Sequence, residues 1–224
     1  KGDFLTKKVR IVMGGDKQLE VPEDLATFNP DFHLLAFCAQ FAASSKYDVV
    51  TMDVVSAFLH SPLNEDVYAR FNPQIAEHFC RICPDYGRFR QPDGSLVVKL
   101  LKSVYGLRQS PIEFQKYTTT QLAKHGFIPS DMARSLYVKK LPSGAHHLVL
   151  FYVDDCISIC PREFHDTSFM DECFKGHTKR TGDEHDFLGL LIQRSSSGEI
   201  SISQPAYARQ VCDEICLPGD VPAQ

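Results

Sequence analysis

Residues Tyr152-Val153-Asp154-Asp155 set two adjacent carboxylates between two apolar runs, 147–151 before them and 156–160 after. Carboxylates in so apolar a hairpin cost free energy unless something positive meets them, and hard divalent cations prefer carboxylate oxygens. The same dipeptide also suits a tight turn, because Asp tolerates left-handed backbone. A metal reading therefore needs a third acid. Asp53 supplies one, near the end of the apolar run Val49-Val50-Thr51-Met52-Asp53-Val54-Val55. Either Asp53 caps a turn at the end of a strand, or it has a partner, since an unpartnered Asp in a buried strand costs several kcal/mol. If that strand and the 147–160 hairpin share a sheet, three carboxylates can hold two divalent ions about 4 Å apart. In phosphoryl transfer such a pair lowers the pKa of an attacking hydroxyl and neutralises the leaving pyrophosphate. Consecutive strand residues face opposite sides, so Asp154 and Asp155 serve one site only from a turn. Asp154 is the expected main ligand and Asp155 the more peripheral one.

The elements that must hold these acids follow from period and punctuation. Residues 8–13 alternate charged and apolar, as a half-exposed strand does, and Gly14-Gly15-Asp16 turns the chain. Asn29-Pro30-Asp31 opens a helix to about Ser44, and 48–55 is a buried strand. Residues 72–97, rich in Pro, Gly, Arg and Asp, read as an irregular excursion with a turn at 92–95. Ser110-Pro111-Ile112-Glu113 has the form of a capping box opening a helix to about Lys124, stopped at Gly126. Strands follow near 135–140, 146–153 and 156–160, then a helix from Pro161 to about Lys175. Residues 187–192 and 200–202 form a hairpin around 195–198, and a helix runs from Ala206 to about Leu217. Helices and strands mix without strict alternation, which predicts an α+β fold.

Composition excludes little. The chain has 224 residues, 43% hydrophobic, enough for one large domain or two small ones. No run of about 18 apolar residues predicts a membrane span. The net charge of −4 argues against holding nucleic acid by bulk charge alone, although Lys1, Lys7, Lys8, Arg10 and Lys17 cluster early and Lys99, Lys102 and Arg108 later. The eight cysteines read as reduced thiols, several in apolar segments. Cys80-x-x-Cys83 with His78 nearby is a possible zinc seed that lacks a matching second pair. The charged start at Lys1-Gly2-Asp3 and the end at Ala223-Gln224 suggest a piece of a longer polypeptide.

Taken in order, these segments resemble the reverse transcriptase of copia-type LTR retrotransposons. Lys8-Val9-Arg10-Ile11-Val12-x-Gly14-Gly15 is similar to that family's early basic strand. Met52-Asp53-Val54-Val55-Ser56-Ala57-Phe58-Leu59-His60 is similar to its first catalytic motif, followed by Leu63-Asn64-Glu65-Asp66-Val67-Tyr68. The run from Leu100 to Pro111, with Tyr105-Gly106-Leu107-Arg108-Gln109, resembles its template and nucleotide motif. Ser135-Leu136-Tyr137-Val138 and Tyr152-Val153-Asp154-Asp155 come next. Phe187-Leu188-Gly189 resembles the primer-gripping hairpin, and Ser203-Gln204-Pro205-x-Tyr207 the start of a thumb.

The resemblance implies a right-hand polymerase fold, with palm and fingers and a partial thumb. Its expected parts are fingers at 1–30 and 61–106, palm at 31–60 and 107–203, and the thumb's start at 204–224. It implies RNA-directed DNA polymerisation, in which Asp53, Asp154 and Asp155, helped by the Val54 carbonyl, hold two Mg²⁺ (Mn²⁺ being a possible substitute). Phe58 would collide with a ribose 2′-OH and so select dNTPs, or it is plain core. Lys8 and Arg10 would reach the triphosphate, or they line a solvated strand face. Tyr105, Gly106 and Gln109 would lie along nucleotide and template. Tyr152, Leu188 and Gly189 would touch the primer end, the last two being equally good as apolar strand core. The implied partners are an RNA or DNA template with primer, dNTPs, and the remainder of a Pol polyprotein (thumb, RNase H, integrase), with no membrane. The implied setting is intracellular, in cytoplasmic virus-like particles.

The chain departs from the family pattern at several points. Gly14 stands where relatives often carry a basic residue, the segment between Pro30 and Asp53 is slightly shortened, 72–97 is expanded, and Pro205 replaces a commonly charged residue. These departures keep open an alternative, a catalytically inactive or decayed domain of the same fold that only binds nucleic acid or partners. A third reading, a template-dependent RNA polymerase, is opposed by Phe58.

Overall fold

The computed structural model describes residues 10–18 and 30–215. In chain order the elements are α1 (Phe32–Ser45), β1 (Asp48–Val54), β2 (Pro62–Phe71), α2 (Pro73–Ile82), β3 (Leu96–Lys102), α3 (Ser110–Lys124), β4 (Ile128–Pro129) and β5 (Leu136–Lys140). They continue with β6 (His146–Tyr152), β7 (Asp155–Cys160), α4 (Phe169–Cys173), β8 (His177–Thr181), β9 (Glu184–Phe187), β10 (Leu190–Arg194), β11 (Ile200–Ser203) and α5 (Pro205–Ile215). Helices and sheets are mixed, as the α+β expectation has it. The described residues fall into two compact units, 10–18 with 56–117 and 30–55 with 118–215.

The second unit is built on a six-stranded sheet in the order β4-β5-β6-β7-β1-β8. Every pairing in it is antiparallel. Alternation sorts the residues of its central strands onto two faces. One face carries Leu148 and Leu150 of β6 and Ile157 and Ile159 of β7, which join Leu35, Cys38 and Ala42 of α1, Phe187 and Ile192 in one apolar cluster. Helix α1 starts where the Asp31 carboxylate accepts the Leu34 N–H at 2.8 Å and ends at Lys46, in left-handed backbone. The three-stranded sheet β11-β10-β9 contributes Phe187 and Ile192 to the same cluster.

On the opposite face lie His147, Val149 and Phe151, with Ser158 and Cys160. Here His147 Nε2 stands 2.7 Å from Ser158 Oγ, which stands 3.0 Å from His165 Nε2. The rings of Phe127 and Phe169 flank His147. Burial, aided by the charges of His165 and Lys139, pushes His147 down to about 3. Burial also lowers His165. The unfolded chain therefore binds protons near pH 6.5 that the folded chain refuses. Stability is full above about pH 6.5 and falls as pH drops; for His147 the fall is about 1.4 kcal/mol per pH unit toward pH 3, and His165 adds to it in the same direction. Urea titrations between pH 7 and 4 should show this slope, and His147→Gln should flatten it by up to one proton.

The first unit pairs β2 with β3. Between them the expected irregular excursion holds only in part: its turn is present at 92–94, but the residues before it form helix. Asn72 caps α2 by accepting the Ile75 N–H at 2.9 Å, and Pro73 occupies the first turn, where its missing N–H costs nothing. A 3₁₀ segment, Pro84–Phe89, follows, and the Phe79 ring packs tilted against Phe71 at 4.9 Å and edge-on to Tyr86 at 5.6 Å. The density of Pro and Gly hides this cap in the sequence.

Four further local expectations are corrected. Ser110 does not form a capping box: its hydroxyl donates to the Val104 carbonyl at 2.6 Å, and the Gln109 carbonyl takes the Glu113 N–H at 3.0 Å. The helix from Pro161 breaks into a 3₁₀ turn, Arg162–Phe164, and the short α4. Residues 10–14 belong to no strand, and Lys8 and Val9 lie outside the described residues. Residues 187–192 are two strands rather than one, with Leu188-Gly189 as the turn between β9 and β10.

Candidate active site

Asp53 sits on an interior strand. β7 flanks β1 on one side and β8 on the other, so Asp53 faces Asp155 in one ladder and Thr178 in the other. Directly opposed residues of an antiparallel pair put their Cβ atoms about 4.5–5.5 Å apart on the same face. Asp53 and Asp155 thus project side by side, in the row that holds Val49 and Thr51 on β1 and Ile157 and Ile159 on β7. Like charges so placed repel, and nothing in a core strand requires them. The neighbouring Cys156 thiol feels the same field: burial first, then the charges of Asp155 and Asp53, push its pKa well above the usual range.

The hairpin that brings Asp155 there turns one residue earlier than the sequence suggests. The turn is Val153-Asp154, flanked by the pair Tyr152 and Asp155. A one-residue shift in a strand exchanges its faces, and here it puts Asp155 opposite Asp53. Asp154 lies in the turn, where its carbonyl accepts the Val54 N–H at 2.9 Å and so ties the turn to the end of β1. Val153 holds φ +53, a conformation that a β-branched side chain enters only with strain, of order 1–3 kcal/mol. Tyr152 packs on the apolar cluster.

A second hairpin meets this row. Buried His185 anchors it: Nε2–H donates to the Gly182 carbonyl at 2.9 Å, which leaves Nδ1 to accept from the Thr51 hydroxyl at 3.2 Å. Its turn uses positive φ at both Leu188 (+54) and Gly189 (+74), the backbone a two-residue hairpin favours. A cleft of about 350 Å³ results, lined by Thr51, Met52, Asp53, Asp155, Asp186, Phe187, Leu188 and Gly189. Sequence reasoning misses Asp186 and Thr51. The alternation of buried His185 and Phe187 around Asp186 is visible in the sequence, but only the pairing of β9 shows that its acid faces this cleft.

The remaining candidates lie in the first unit. Phe58 is 7% exposed and packs edge-on to Tyr105 (4.8 Å) and Phe114 (6.1 Å). The Arg10 guanidinium stands 5.3 Å from the Tyr105 ring centroid, a cation–π distance. Gly106 has φ +90, and a Cβ there would lie 2.0 Å from the Met13 carbonyl oxygen, so two backbones meet where only Gly fits. Gln109 is 2% exposed, and its carbonyl oxygen Oε1 accepts from Gln18 Nε2 at 2.7 Å.

Among the described residues no three His, Cys, Asp or Glu side chains group closely enough to hold a metal by themselves, and the Cys80/Cys83/His78 segment gives no such group. The facing pair Asp53 and Asp155 nevertheless fits Mg²⁺. That ion keeps several waters and takes one or two protein carboxylates, with substrate phosphates completing its shell.

The family model described as reverse transcriptase (RNA-dependent DNA polymerase) matches residues 4–223. A transposon Ty5-1 protein of Saccharomyces cerevisiae is 29% identical over 164 residues, 73% of this chain and 49% of that protein. The retrovirus-related Pol polyprotein from transposon TNT 1-94 of Nicotiana tabacum is 24% identical over 96% of this chain and 16% of its own length. That from transposon RE2 of Arabidopsis thaliana is 27% identical over 92% of this chain and 13% of its own length. The chain therefore spans about half of the first relative and a small part of the Pol polyproteins. No solved structure matches. The two facing acids, the order of the surrounding motifs and a family match across nearly all 224 residues lead to one conclusion: this chain belongs to the reverse transcriptase (RNA-dependent DNA polymerase) family, in its copia-type retrotransposon branch.

Proposed function

We propose that this domain catalyses RNA-templated addition of dNTPs to a primer, with 31–60 and 107–203 serving as palm, 1–30 and 61–106 as fingers, and 204–224 as the thumb's start. The observation that carries the reading is the register that sets Asp53 against Asp155 across two core strands. Asp53, Asp155 and the adjoining Asp154, with the Val54 carbonyl, would hold two Mg²⁺ ions. Bound there, they would lower the pKa of the primer 3′-hydroxyl and neutralise charge on the transferred phosphoryl group and the pyrophosphate.

The chain's own residues do the rest. Leu188 and Gly189, at an exposed turn beside the acids, offer an apolar rest for the primer end, and Tyr152 steadies the strand that leads to the turn. Phe58 is the bulky group that rejects a 2′-hydroxyl, held at a fixed angle by Tyr105 and Phe114. Tyr105 and Gly106 present a flat ring and bare backbone to nucleotide and template, and Arg10 offers its charge to the triphosphate. Lys8 is assigned the same task by its place in the motif. Buried Gln109 supports this loop from beneath. Template, primer and the rest of a Pol polyprotein are the partners, and an intracellular particle is the setting that the family resemblance suggests. Among the described residues no helix is long and apolar enough to cross a membrane.

The test is primer extension on an RNA template with Mg²⁺ and dNTPs, using this domain joined to a complete thumb. Extension that stops on chelation supports the reading. Salt-dependent binding of primer–template without any metal-dependent synthesis would favour the idle binding domain instead.

A further inference from the structure

Resting on that reading, we propose that Gln18 is a positioning residue for nucleotide binding, a latch that pins segment 10–18 onto the loop 104–109. Its side chain reaches two places at once. Gln18 Nε2 donates to Gln109 Oε1 at 2.7 Å, and Gln18 Oε1 accepts the Arg108 backbone N–H at 3.4 Å. The partners are about ninety residues apart in sequence, so the bonds join segments that nothing local holds together.

Beneath the latch the two backbones approach closely at two glycines. Met13 N–H donates to the Tyr105 carbonyl at 2.8 Å. A Cβ on Gly106 would fall 2.0 Å from the Met13 oxygen, and one on Gly15 would fall 2.2 Å from the Gly106 oxygen. The same docking sets Arg10 over the ring of Tyr105, which packs on Phe58. Within the described segment 10–18, it is the Gln18 side chain that ties to the loop through hydrogen bonds.

The latch carries one further sign. Gln109 Nε2 is buried and has no hydrogen-bond partner. Buried amide donors are normally satisfied, and this one is left over because Gln109 turns its Oε1 to Gln18. It also gives a way to rescue the latch. A carboxylate at position 18 would accept both the Arg108 N–H and, after a flip of the Gln109 amide, the orphan Nε2–H.

The experiment compares wild type, Gln18→Ala and Gln18→Glu by amide hydrogen exchange at Met13 and by dNTP titration in primer extension. Gln18→Ala should speed Met13 exchange and raise the dNTP KM, each about ten-fold, with kcat within about two-fold. Gln18→Glu should hold both near wild type, which a residue that merely fills space would not do. If wild type extends primers but Gln18→Ala leaves either the Met13 exchange rate or the KM unchanged, the positioning role is overturned and the polymerase reading stands. If wild type does not extend at all, the polymerase reading falls and so does the role in nucleotide binding, whatever the exchange rates show.

Discussion

Replacing Asp53 or Asp155 by Asn should abolish synthesis and stabilise the metal-free fold, and it is the pairing of opposite signs that identifies the site. Asp53 and Asp155 stand opposite each other across β1 and β7, with Cβ atoms about 5 Å apart by the geometry of the ladder. Repulsion at that distance is about 1 kcal/mol in water and several-fold more in a partly screened cleft. Removing one charge relieves it, so either single variant should gain about 1 kcal/mol in urea titrations without divalent ions. The double variant should gain little beyond the first, because one removal already ends the repulsion. Primer extension should fall by about 10³-fold or more, as removal of groups that stabilise charge in the transition state does. Added Mg²⁺ with dNTP should raise the Tm of wild type and not of the variants. A loss of activity with a loss of stability would make the pair a structural element instead. Asp154→Asn separates the two adjacent acids. Its carbonyl bond to Val54 survives the substitution, so any fall in activity reports the carboxylate itself.

The acids are legible because their surroundings are wrong for them. Asp53 inside Val-Val-Thr-Met and Asp154-Asp155 between apolar runs both violate the rule that buried strands exclude charge, and such violations collect at sites. The helix at 32–45 is legible for a similar reason, since Asp31 is a local cap with a local signal. What stays hidden depends on pairing. Whether the hairpin turns at 153–154 or at 154–155 decides which acid faces Asp53, and nothing in the neighbouring sequence encodes that choice. It follows from Leu148 and Leu150 having to oppose Ile159 and Ile157 across the cluster. Asp186 is hidden in the same way. The turn at Leu188-Gly189 has a local signal, a Gly between apolar strands, but the apolar run 187–192 reads as continuous. Strand β8 gives no signal of its own: His177–Thr181 is short and polar, and it is a strand because β1 offers it a ladder.

Three glycine substitutions should rank in an order that only close backbone packing of segment 10–18 produces. Gly189 has positive φ, and a Cβ added there would meet nothing within 4 Å, so Gly189→Ala measures backbone strain alone, about 1 kcal/mol. Gly15 has no positive φ, and its Cβ would lie 2.2 Å from the Gly106 oxygen, so Gly15→Ala measures the clash alone. Gly106 combines the two, with φ +90 and contacts at 2.0 Å to the Met13 oxygen and 2.8 Å to its nitrogen. The shortest of these contacts, to the Gly106 and Met13 oxygens, are to backbone, which cannot rotate aside as the Val12 methyl at 2.8 Å could. Gly106→Ala should therefore cost about 3 kcal/mol or release the segment altogether. Release would appear as a smaller stability loss coupled to fast exchange at Met13 and a raised dNTP KM, because Arg10 would leave the face of Tyr105. Equal effects of Gly106→Ala and Gly189→Ala, in urea titrations and in exchange alike, would mean that segment 10–18 does not dock on this loop. The cation over the aromatic ring would then have to be removed from the nucleotide site.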